Sequence, residues 1–205
     1  MLRALVTGFA PFGGASLNAS YEAVRRLPAR VGEFDIVTAQ LPTSYARSGA
    51  ALVSEINRRQ PALVLCIGEA GERTALNIER IAINVQDARI ADNDGAQPVD
   101  RPVVADAPAA YFSTLPVRAI HAALVAENLP AEISNSAGTF VCNHLFYSLM
   151  HYAASPGPRL RGGFVHVPGW RDDDNASMRI ADIARGIVIA LEVGATAVIS
   201  DRRPS

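Results

Sequence analysis

The sequence predicts an α/β domain in which helices cover both faces of a mostly parallel β-sheet. Short apolar runs alternate with amphipathic stretches along most of the chain. Several of the runs are almost continuously apolar, which is typical of strands that are buried on both faces of a sheet. The chain has 205 residues, of which 49% are apolar. This is enough for one well-formed hydrophobic core, so we expect a single domain over residues 1–205.

The apolar runs predict strands because they are short and are bounded by turn residues. They cover residues 3–9, 34–42, 62–68, 131–136 and 162–168. A further strand is predicted over 78–85, where "IERIAINV" alternates between two sets of side chains.

Amphipathic stretches between these runs predict helices over 20–27, 44–60, 115–129, 142–154 and 176–195. Ser20 and Ser44 are candidate N-caps, and Asp174 or Asn175 is a candidate cap for the last helix. Residues 86–114 interrupt this rhythm, since they contain many Asp and Pro residues and no periodicity. A loop of that length in a compact domain is usually functional or mobile.

Composition excludes several classes of function. The net charge is −1 and no basic stripe is present, so we expect no nucleic-acid partner. The two cysteines lie far apart and form no disulfide framework, which favours a reducing compartment. The N-terminal segment "MLRALVTGFAPFGG" is interpreted as a buried strand and a turn rather than a signal peptide. No uninterrupted apolar run approaches the roughly 18 residues of a spanning helix. We therefore expect a cytoplasmic protein that does not contact membranes.

Several short motifs resemble known sites but lack essential residues. The glycines of "GFAPFGG" follow a strand, but neither the Lys-Ser/Thr of a P-loop nor the G-x-G-x-x-G of a dinucleotide site is present. "DNDG" at 92–95 lacks most of a calcium loop, so it predicts a turn. "DDD" at 172–174 predicts a solvated loop. The zinc motifs HExxH and CxxC and the G-x-S-x-G nucleophile elbow are absent. The sequence therefore predicts no metal and no cofactor.

Cys142 is a candidate nucleophile because it lies at the start of a predicted helix. In "AGTFVCNH" (137–144) it follows a predicted strand and a glycine-containing turn. A helix N-terminus favours the thiolate, which is the reactive form of cysteine, and its free N–H groups can also stabilise an oxyanion. The alternative is that Cys142 is an inert buried thiol. That is the role we expect for Cys66, which lies in the apolar run "LVLCI".

His166 is the best candidate base by elimination. Successive helical residues rotate by about 100°, so His144 points away from the side of the helix that carries Cys142. His151 is about two and a half turns further along the same helix. His121 lies in the middle of another predicted helix. His166 instead lies near the carboxyl end of a predicted strand, the edge at which α/β proteins gather their sites.

A cysteine and a histidine that are far apart in sequence usually need a third group that orients the imidazole. The sequence pattern alone does not identify that carboxylate. Glu79 is a good candidate, because an acidic residue in an otherwise apolar strand needs a partner if it is buried. The alternative is that Glu79 pairs with Arg80 or Arg73 at the surface.

Phe9 and Phe12 flank Pro11 in the turn after the first predicted strand. Their spacing alone favours two core residues. Their position at the carboxyl end of a strand favours a ligand pocket about equally.

These segments together resemble pyroglutamyl peptidase type I, also called pyrrolidone-carboxylate peptidase. "NIERIAINVQDARIADNDGAQPVD" (77–100) and "ISNSAGTFVCNHLFYSLMH" (133–151) are similar to the two signature regions of that family. "GFAPFGG" with the following "NAS" resembles its N-terminal motif, and "GGFVHVP" (162–168) resembles its histidine segment. The resemblance covers essentially the whole chain, and the cysteine segment is its most specific part.

The resemblance implies a cysteine peptidase that removes an N-terminal pyroglutamyl (5-oxoprolyl) residue from peptides through a thioester acyl-enzyme. Carried over by motif, the nucleophile is Cys142, the base is His166 and the orienting acid is Glu79. The family has a three-layer α/β/α sandwich with a mixed, mostly parallel central sheet. Its members are cytosolic, metal-free and commonly tetrameric, so we expect a homotetramer or homodimer that needs no cofactor.

The resemblance also implies a hydrophobic pocket for the lactam ring. Phe9 and Phe12 match the pocket residues of the family, and Phe140 and Val141 lie beside the nucleophile. Arg89 matches an arginine near the site that assists the oxyanion.

The chain departs from the family pattern at Ala10, Ala19, Asn77 and Glu69, and Glu72 makes the loop after Glu69 more acidic. None of these departures removes a catalytic group. The residues themselves leave two other functions possible. One is a cysteine amidohydrolase acting on a different small amide, and the other is a non-catalytic binding module in which Cys142 is structural.

Overall fold

The structure is a computed structural model that describes residues 2–169 and 178–202. The strands in the described part are β1 (Leu2–Phe9), β2 (Arg30–Val31), β3 (Phe34–Leu41), β4 (Leu63–Glu69), β5 (Leu76–Glu79), β6 (Ile81–Ile83), β7 (Ala110–Phe112), β8 (Ala131–Ser134) and β9 (Arg161–Val167). The helices are α1 (Ala19–Val24), α2 (Ser48–Arg59), α3 (Val117–Ala126), α4 (Val141–Ala154) and α5 (Ile180–Arg202). Each predicted helix or strand overlaps at least one element of this set, although one predicted strand is divided and several ends are shifted.

Seven strands form one mixed sheet in the order β2-β3-β1-β4-β9-β5-β8. The central pairs β1·β3, β1·β4 and β4·β9 are parallel, and so is the pair β5·β8. The pairs β2·β3 and β5·β9 are antiparallel. The expected α/β fold with a mixed, mostly parallel sheet is therefore confirmed.

Helices cover both faces of this sheet because strand side chains alternate between the faces. On β1 and β4, Leu5, Val64 and Cys66 belong to a core shared with α2 and α4. Their neighbours Val6 and Leu65 belong to a second core, which α1, α3 and α5 share. The sheet thus lies between two buried layers, as expected for a three-layer sandwich.

The prediction of a single strand over 78–85 is wrong, because the strand is divided at Arg80. β5 joins the central sheet, whereas β6 pairs with β7 in a separate two-stranded sheet. The Arg80 backbone bonds in two directions, donating to the carbonyl of Ser134 and accepting from the amide of Ser113. Alternation of side chains continues through this break, so the sequence pattern does not reveal it.

The loop predicted over 86–114 contains β7, which the sequence did not predict, and a bridge between Gln86 and Arg101. The turn predicted at 92–95 is confirmed: the Asp92 carboxylate accepts the amides of Tyr45, Asp94 and Ala96. The bond from Tyr45 and the pairing of β7 with β6 connect this segment to the rest of the domain.

Two cap predictions are wrong. The side chain of Asn18, not Ser20, caps α1 by accepting the Ser20 amide at 3.0 Å. α2 begins at Ser48, and Ser44 instead accepts the Arg47 amide in the preceding turn at 3.2 Å. The predicted cap at Asp174 or Asn175 and the loop at 172–174 lie outside the described residues.

α5 is longer than predicted and is apolar enough to meet the length and composition criteria for a membrane span, contrary to the expectation above. Its mean hydropathy reaches 1.7 over an 18-residue window. Half of that window is buried, and Ile183, Ile187 and Leu191 are among the residues that pack in the core beside the sheet. Burial in a core helix accounts for this hydropathy.

Candidate active site

The candidate site lies where the central strands β4 and β9 end. These strands are parallel neighbours, so their carboxyl ends meet at one edge of the sheet, as ligand sites in α/β folds usually do. Gly68 and Glu69 end β4, and they pair with His166 and Val167 on β9.

His166 and Glu79 form a buried pair at this edge. β5 runs antiparallel to β9, which brings Glu79 close to His166 although they are separated by 87 positions. Nδ1 of His166 lies 2.8 Å from Oε1 of Glu79, and both side chains are almost completely buried. A carboxylate on Nδ1 fixes the ring orientation and leaves Nε2 as the reactive nitrogen.

Glu79 has a second ionic partner, Arg73. Nη1 of Arg73 donates to the same Oε1 atom at 2.7 Å, and Nη2 donates to the carbonyl of Ser136 at 3.2 Å. Glu79 therefore has both of the partners considered above, a histidine and an arginine. The carboxylate is buried rather than at the surface.

Cys142 reaches the same point from α4. It is the second residue of that helix, directly after Val141. A β-carbon built on Gly68 would lie 2.9 Å from the Cys142 sulfur, and Gly68 is the register partner of His166. Among the described residues no hydrogen bond joins the thiol to the imidazole, so proton transfer needs a closer approach. Such contacts are often long before substrate binds.

A small cavity of about 20 Å³ opens beside the thiol. Its lining residues come from four parts of the chain and are Phe9, Phe12, Asn18, Thr43, Glu69, Val141 and Cys142. Phe140 packs beside the cavity residue Phe12, with the two ring centroids 6.2 Å apart. The arrangement combines an apolar wall with a thiol and a few polar groups, as expected for a small-molecule site.

A sequence model of the pyroglutamyl peptidase family matches residues 2–197. The chain belongs to the pyroglutamyl peptidase family. The match spans all the segments that contribute to the edge of the sheet described above.

Curated relatives and solved structures agree with this assignment. The chain is 46% identical over 195 residues to the pyrrolidone-carboxylate peptidase of Alkaliphilus oremlandii, covering 93% of this chain and 92% of that protein. It is 47% identical over 202 residues to the same enzyme of Bacillus cereus (strain Q1), covering 96% and 94%.

Pyroglutamyl peptidase I of Bacillus amyloliquefaciens superposes with a TM-score of 0.91 at 40% identity, covering 96% of this chain and 98% of that one. Pyrrolidone carboxyl peptidase of Thermococcus litoralis gives a TM-score of 0.94 at 36% identity, covering 98% and 97%.

In this member of the pyroglutamyl peptidase family, the surroundings of the Cys142 thiol shift its pKa in the direction opposite to that expected from its helix position. Burial, followed by the charge of Glu79, raises the pKa of Cys142 to about 12. Burial also lowers the pKa of His166 below its usual range, and the bond to Glu79 opposes that shift. Burial removes the water that would stabilise the thiolate. This loss outweighs the stabilisation that the helix N-terminus provides.

Cys66 is fully buried, and burial raises its pKa to about 12, as expected for an inert core thiol. His144 points away from Cys142, as the helical rotation predicted. Its ring lies against Tyr45 at a centroid distance of 5.5 Å, and burial lowers its pKa to about 4. A groove of about 780 Å³ between α2 and α4 is lined in part by His144 and contains none of Cys142, His166 and Glu79.

Among the sequence-predicted pocket residues, Phe9, Phe12 and Val141 line the cavity and Phe140 packs beside Phe12. The side chain of Arg89 is exposed and does not line the cavity. Sequence reasoning did not assign Asn18 and Thr43 to the pocket, because no local pattern indicates that their loops meet here. Among the described residues no cluster of three or more His, Cys, Asp or Glu side chains is arranged to bind a metal ion.

Proposed function

We propose that this protein is a cysteine peptidase that hydrolyses the amide bond after an N-terminal pyroglutamyl residue, with Cys142 as nucleophile, His166 as base and Glu79 as the orienting acid. The observation that carries the proposal is the buried pair of His166 and Glu79, 2.8 Å apart, beside a thiol at a helix start. Membership of the pyroglutamyl peptidase family supports the choice of substrate.

The reaction begins from a neutral thiol and a neutral imidazole. As the Cys142 sulfur attacks the pyroglutamyl carbonyl, Nε2 of His166 removes the thiol proton. The carbon–nitrogen bond then breaks, and His166 gives that proton to the departing amine, leaving a thioester. His166 next takes a proton from water while the hydroxide attacks the thioester. Pyroglutamate leaves, and the proton returns to the sulfur.

The first turn of α4 supports the negative oxygen of the tetrahedral intermediate. Backbone N–H groups in the first turn of a helix have no partner within the helix. Those of Val141, Cys142 and Asn143 are therefore candidates for an oxyanion hole. Arg89 stands as a further candidate through the family resemblance, although it would have to turn inward from its exposed position.

The cavity beside Cys142 explains how a lactam is preferred. A pyroglutamyl ring carries no ammonium group, so an apolar wall of Phe9, Phe12 and Val141 suits it. An ordinary N-terminus would have to give up the solvation of its charge against these rings, and the carboxylate in the lining, Glu69, already accepts the Ala19 amide. The cavity of about 20 Å³ holds little more than one water, so Phe12, which is partly exposed, moves outward when the ring enters.

We further infer a cytoplasmic homo-oligomer, a tetramer or a dimer. Both cysteines are free, which suits a reducing compartment. Exposed apolar side chains such as Val99 and Phe112, each more than two-thirds exposed, are available for subunit contacts. Light scattering coupled to size-exclusion chromatography measures the assembly directly, and a monomer at micromolar concentration would refute the oligomer.

The decisive experiment is the cleavage of a pyroglutamyl-linked dye with and without a thiol blocker. Cys142→Ala should abolish turnover, whereas Cys66→Ala should keep it, since Cys66 lies in the core. Cleavage by the Cys142 variant would disprove the assignment.

A panel of pyroglutamyl, prolyl and glutaminyl amides separates this proposal from a cysteine amidohydrolase with another substrate. Equal or better cleavage of the prolyl or glutaminyl amide would favour that alternative. Lack of cleavage of every amide would favour a binding module.

A further inference from the structure

We propose that Arg73 is a positioning residue that fixes Glu79 and the loop before Cys142 in one arrangement and balances the charge around His166. This inference rests on the proposed function, because it assigns Arg73 a part in the Cys142–His166–Glu79 site. Arg73 itself need not touch the substrate.

The first observation is geometric. Arg73 lies in the turn between β4 and β5 and donates hydrogen bonds to the Glu79 carboxylate at 2.7 Å and to the Ser136 carbonyl at 3.2 Å. Ser136 lies in the loop that leads into α4, and therefore to Cys142. One guanidinium thus joins the carboxylate to the segment that carries the thiol. Arginine suits this role because its planar fork holds two acceptors in a fixed geometry.

The second observation concerns charge. The Glu79 side chain has no solvent exposure, and a buried carboxylate is costly without a compensating charge. The Arg73 side chain is 28% exposed, so it brings a positive charge from the solvent boundary to the buried Oε1 atom. His166 can then remain neutral while its ring is held by Glu79. Without Arg73, the imidazole itself would be the nearest group able to neutralise this carboxylate.

The groups that face His166 come from several elements. Glu79 faces it from β5, and Arg73 faces it from the turn before β5. Cys142 approaches from α4, and Glu69 lies at the end of the adjacent strand β4, close enough for its charge to act on that thiol. Among these described groups around His166, only Arg73 is cationic. Its charge contributes to the lowered pKa of His166, after the larger effect of burial.

The direction of the effect follows from these signs. A general base must be neutral to accept a proton, so the acid limb of kcat/KM reports the pKa of His166 in the free enzyme. Removing Arg73 removes a cause that lowers this pKa. The acid limb should therefore move to higher pH, and a narrower range of acidic pH should support activity.

The experiment compares Arg73→Gln and Arg73→Lys with the control Arg80→Gln, which also removes one positive charge next to Glu79 in sequence. The titration of the His166 ring is followed by long-range proton–nitrogen NMR in the full chain, and its signals are assigned with His166→Gln. In Arg73→Gln the His166 midpoint should rise by about half a pH unit or more. In Arg80→Gln it should not move. Because this readout needs no substrate, it tests Arg73 even if the dye is not cleaved.

The same variants are then assayed with the pyroglutamyl dye. Arg73→Gln should lower kcat roughly tenfold at the pH optimum and change KM little, since misplacement of the base affects the reacting geometry more than ring binding. Arg73→Lys keeps the charge but cannot span both acceptors, so it should restore the titration midpoint and only part of kcat.

An unchanged His166 midpoint in Arg73→Gln would overturn the proposal, even if activity falls. A shifted midpoint in Arg73→Gln, together with a wild-type protein that cleaves no pyroglutamyl dye, would instead refute the proposed function and leave the interaction of Arg73 with the Glu79–His166 pair intact. If Arg73→Gln does not fold, Arg73→Lys decides: wild-type kcat in that variant would exclude a positioning role.

Discussion

Gly68 on β4 lies so close to Cys142 on α4 that a β-carbon on Gly68 would approach the Cys142 sulfur to 2.9 Å. The same β-carbon would lie 2.6 Å from a ring atom of Phe164, which is itself fully buried. The absence of a side chain at this strand end lets the thiol lie against the sheet, next to His166 on the neighbouring strand. The position of the thiol therefore depends on a residue that carries no reactive group.

Gly68→Ala should reduce both activity and stability. Because the added methyl overlaps the sulfur and a buried ring, we expect a loss of about 1–3 kcal/mol in the free energy of unfolding. A displaced sulfur should also lower kcat/KM by roughly a hundredfold. Gly71→Ala is the matched control, since its β-carbon has no neighbour closer than 3.9 Å. Urea denaturation and the dye assay measure both effects, and equal behaviour of the two variants would contradict the packing argument.

The pH dependence of alkylation should show that Cys142 is not a thiolate at neutral pH. With a thiol pKa of about 12, the rate of reaction with iodoacetamide should rise about tenfold per pH unit between pH 6 and pH 9 without levelling off. The measurement uses Cys66→Ala, in which Cys142 is the only thiol. A plateau near pH 7 would indicate a preformed thiolate–imidazolium pair and would contradict the neutral resting state.

Glu69→Gln should increase the reactivity of the Cys142 thiol. The Glu69 carboxylate lies in the same cavity and its charge raises the pKa of that thiol, after the larger effects of burial and Glu79. The amide removes this charge and can still accept the Ala19 amide, which Glu69 binds at 2.6 Å. We expect a several-fold faster alkylation at pH 8. Glu72→Gln, an exposed change of the same charge, should leave the rate unaltered.

Substitution of His166 should reduce turnover far more than substitution of His144. His166→Ala should abolish turnover, because it removes the proposed base. His144→Ala should be milder, since His144 faces the groove between α2 and α4 rather than the thiol. Activity that depends more on His144 than on His166 would overturn the helix argument.

His144 should also contribute to acid sensitivity. Burial lowers its folded pKa from 6.5 to about 4, so the unfolded chain binds an extra proton between these values. The stability that neutral His144 permits is complete above about pH 6.5 and is lost as the pH falls through 4. His144→Gln should therefore lose less stability between pH 7 and pH 4 than wild type, by on the order of 2 kcal/mol. Identical pH profiles in urea denaturation would exclude this contribution.

Asn143 should be required for the stability of the first turn of α4. Its buried amide accepts from the Ile83 amide at 3.0 Å and donates to the carbonyls of Ile83 at 2.9 Å and Val85 at 3.0 Å. Asn143→Ala leaves these backbone groups without a partner, so we expect a loss of about 2–4 kcal/mol in the free energy of unfolding. The exposed residue Asn57 provides the control, since Asn57→Ala should cost less than about 1 kcal/mol. A loss below that limit for Asn143→Ala would contradict the role.

Local pattern was sufficient to predict most of the fold. Continuous apolar runs identified β1, β4 and β9, and amphipathic periodicity identified α2 and α4. The pattern failed at Arg80, because alternating side chains continue through the point where the backbone leaves the central sheet. It also missed β7, whose few residues follow an irregular segment and take their structure from pairing with β6.

The sequence by itself determined the chemistry that the site can carry. It placed a thiol at a helix start, a histidine at a strand end and an acid in an apolar strand, and the motifs around them resembled one family. The tertiary structure decided what these groups experience. Antiparallel pairing of β5 with β9 puts Glu79 on His166, and Arg73 joins the same carboxylate oxygen. Packing around Cys142 shifts the pKa of the thiol upward, opposite to the effect of its helix position, because solvation and Coulomb energies depend on neighbours that are distant in sequence.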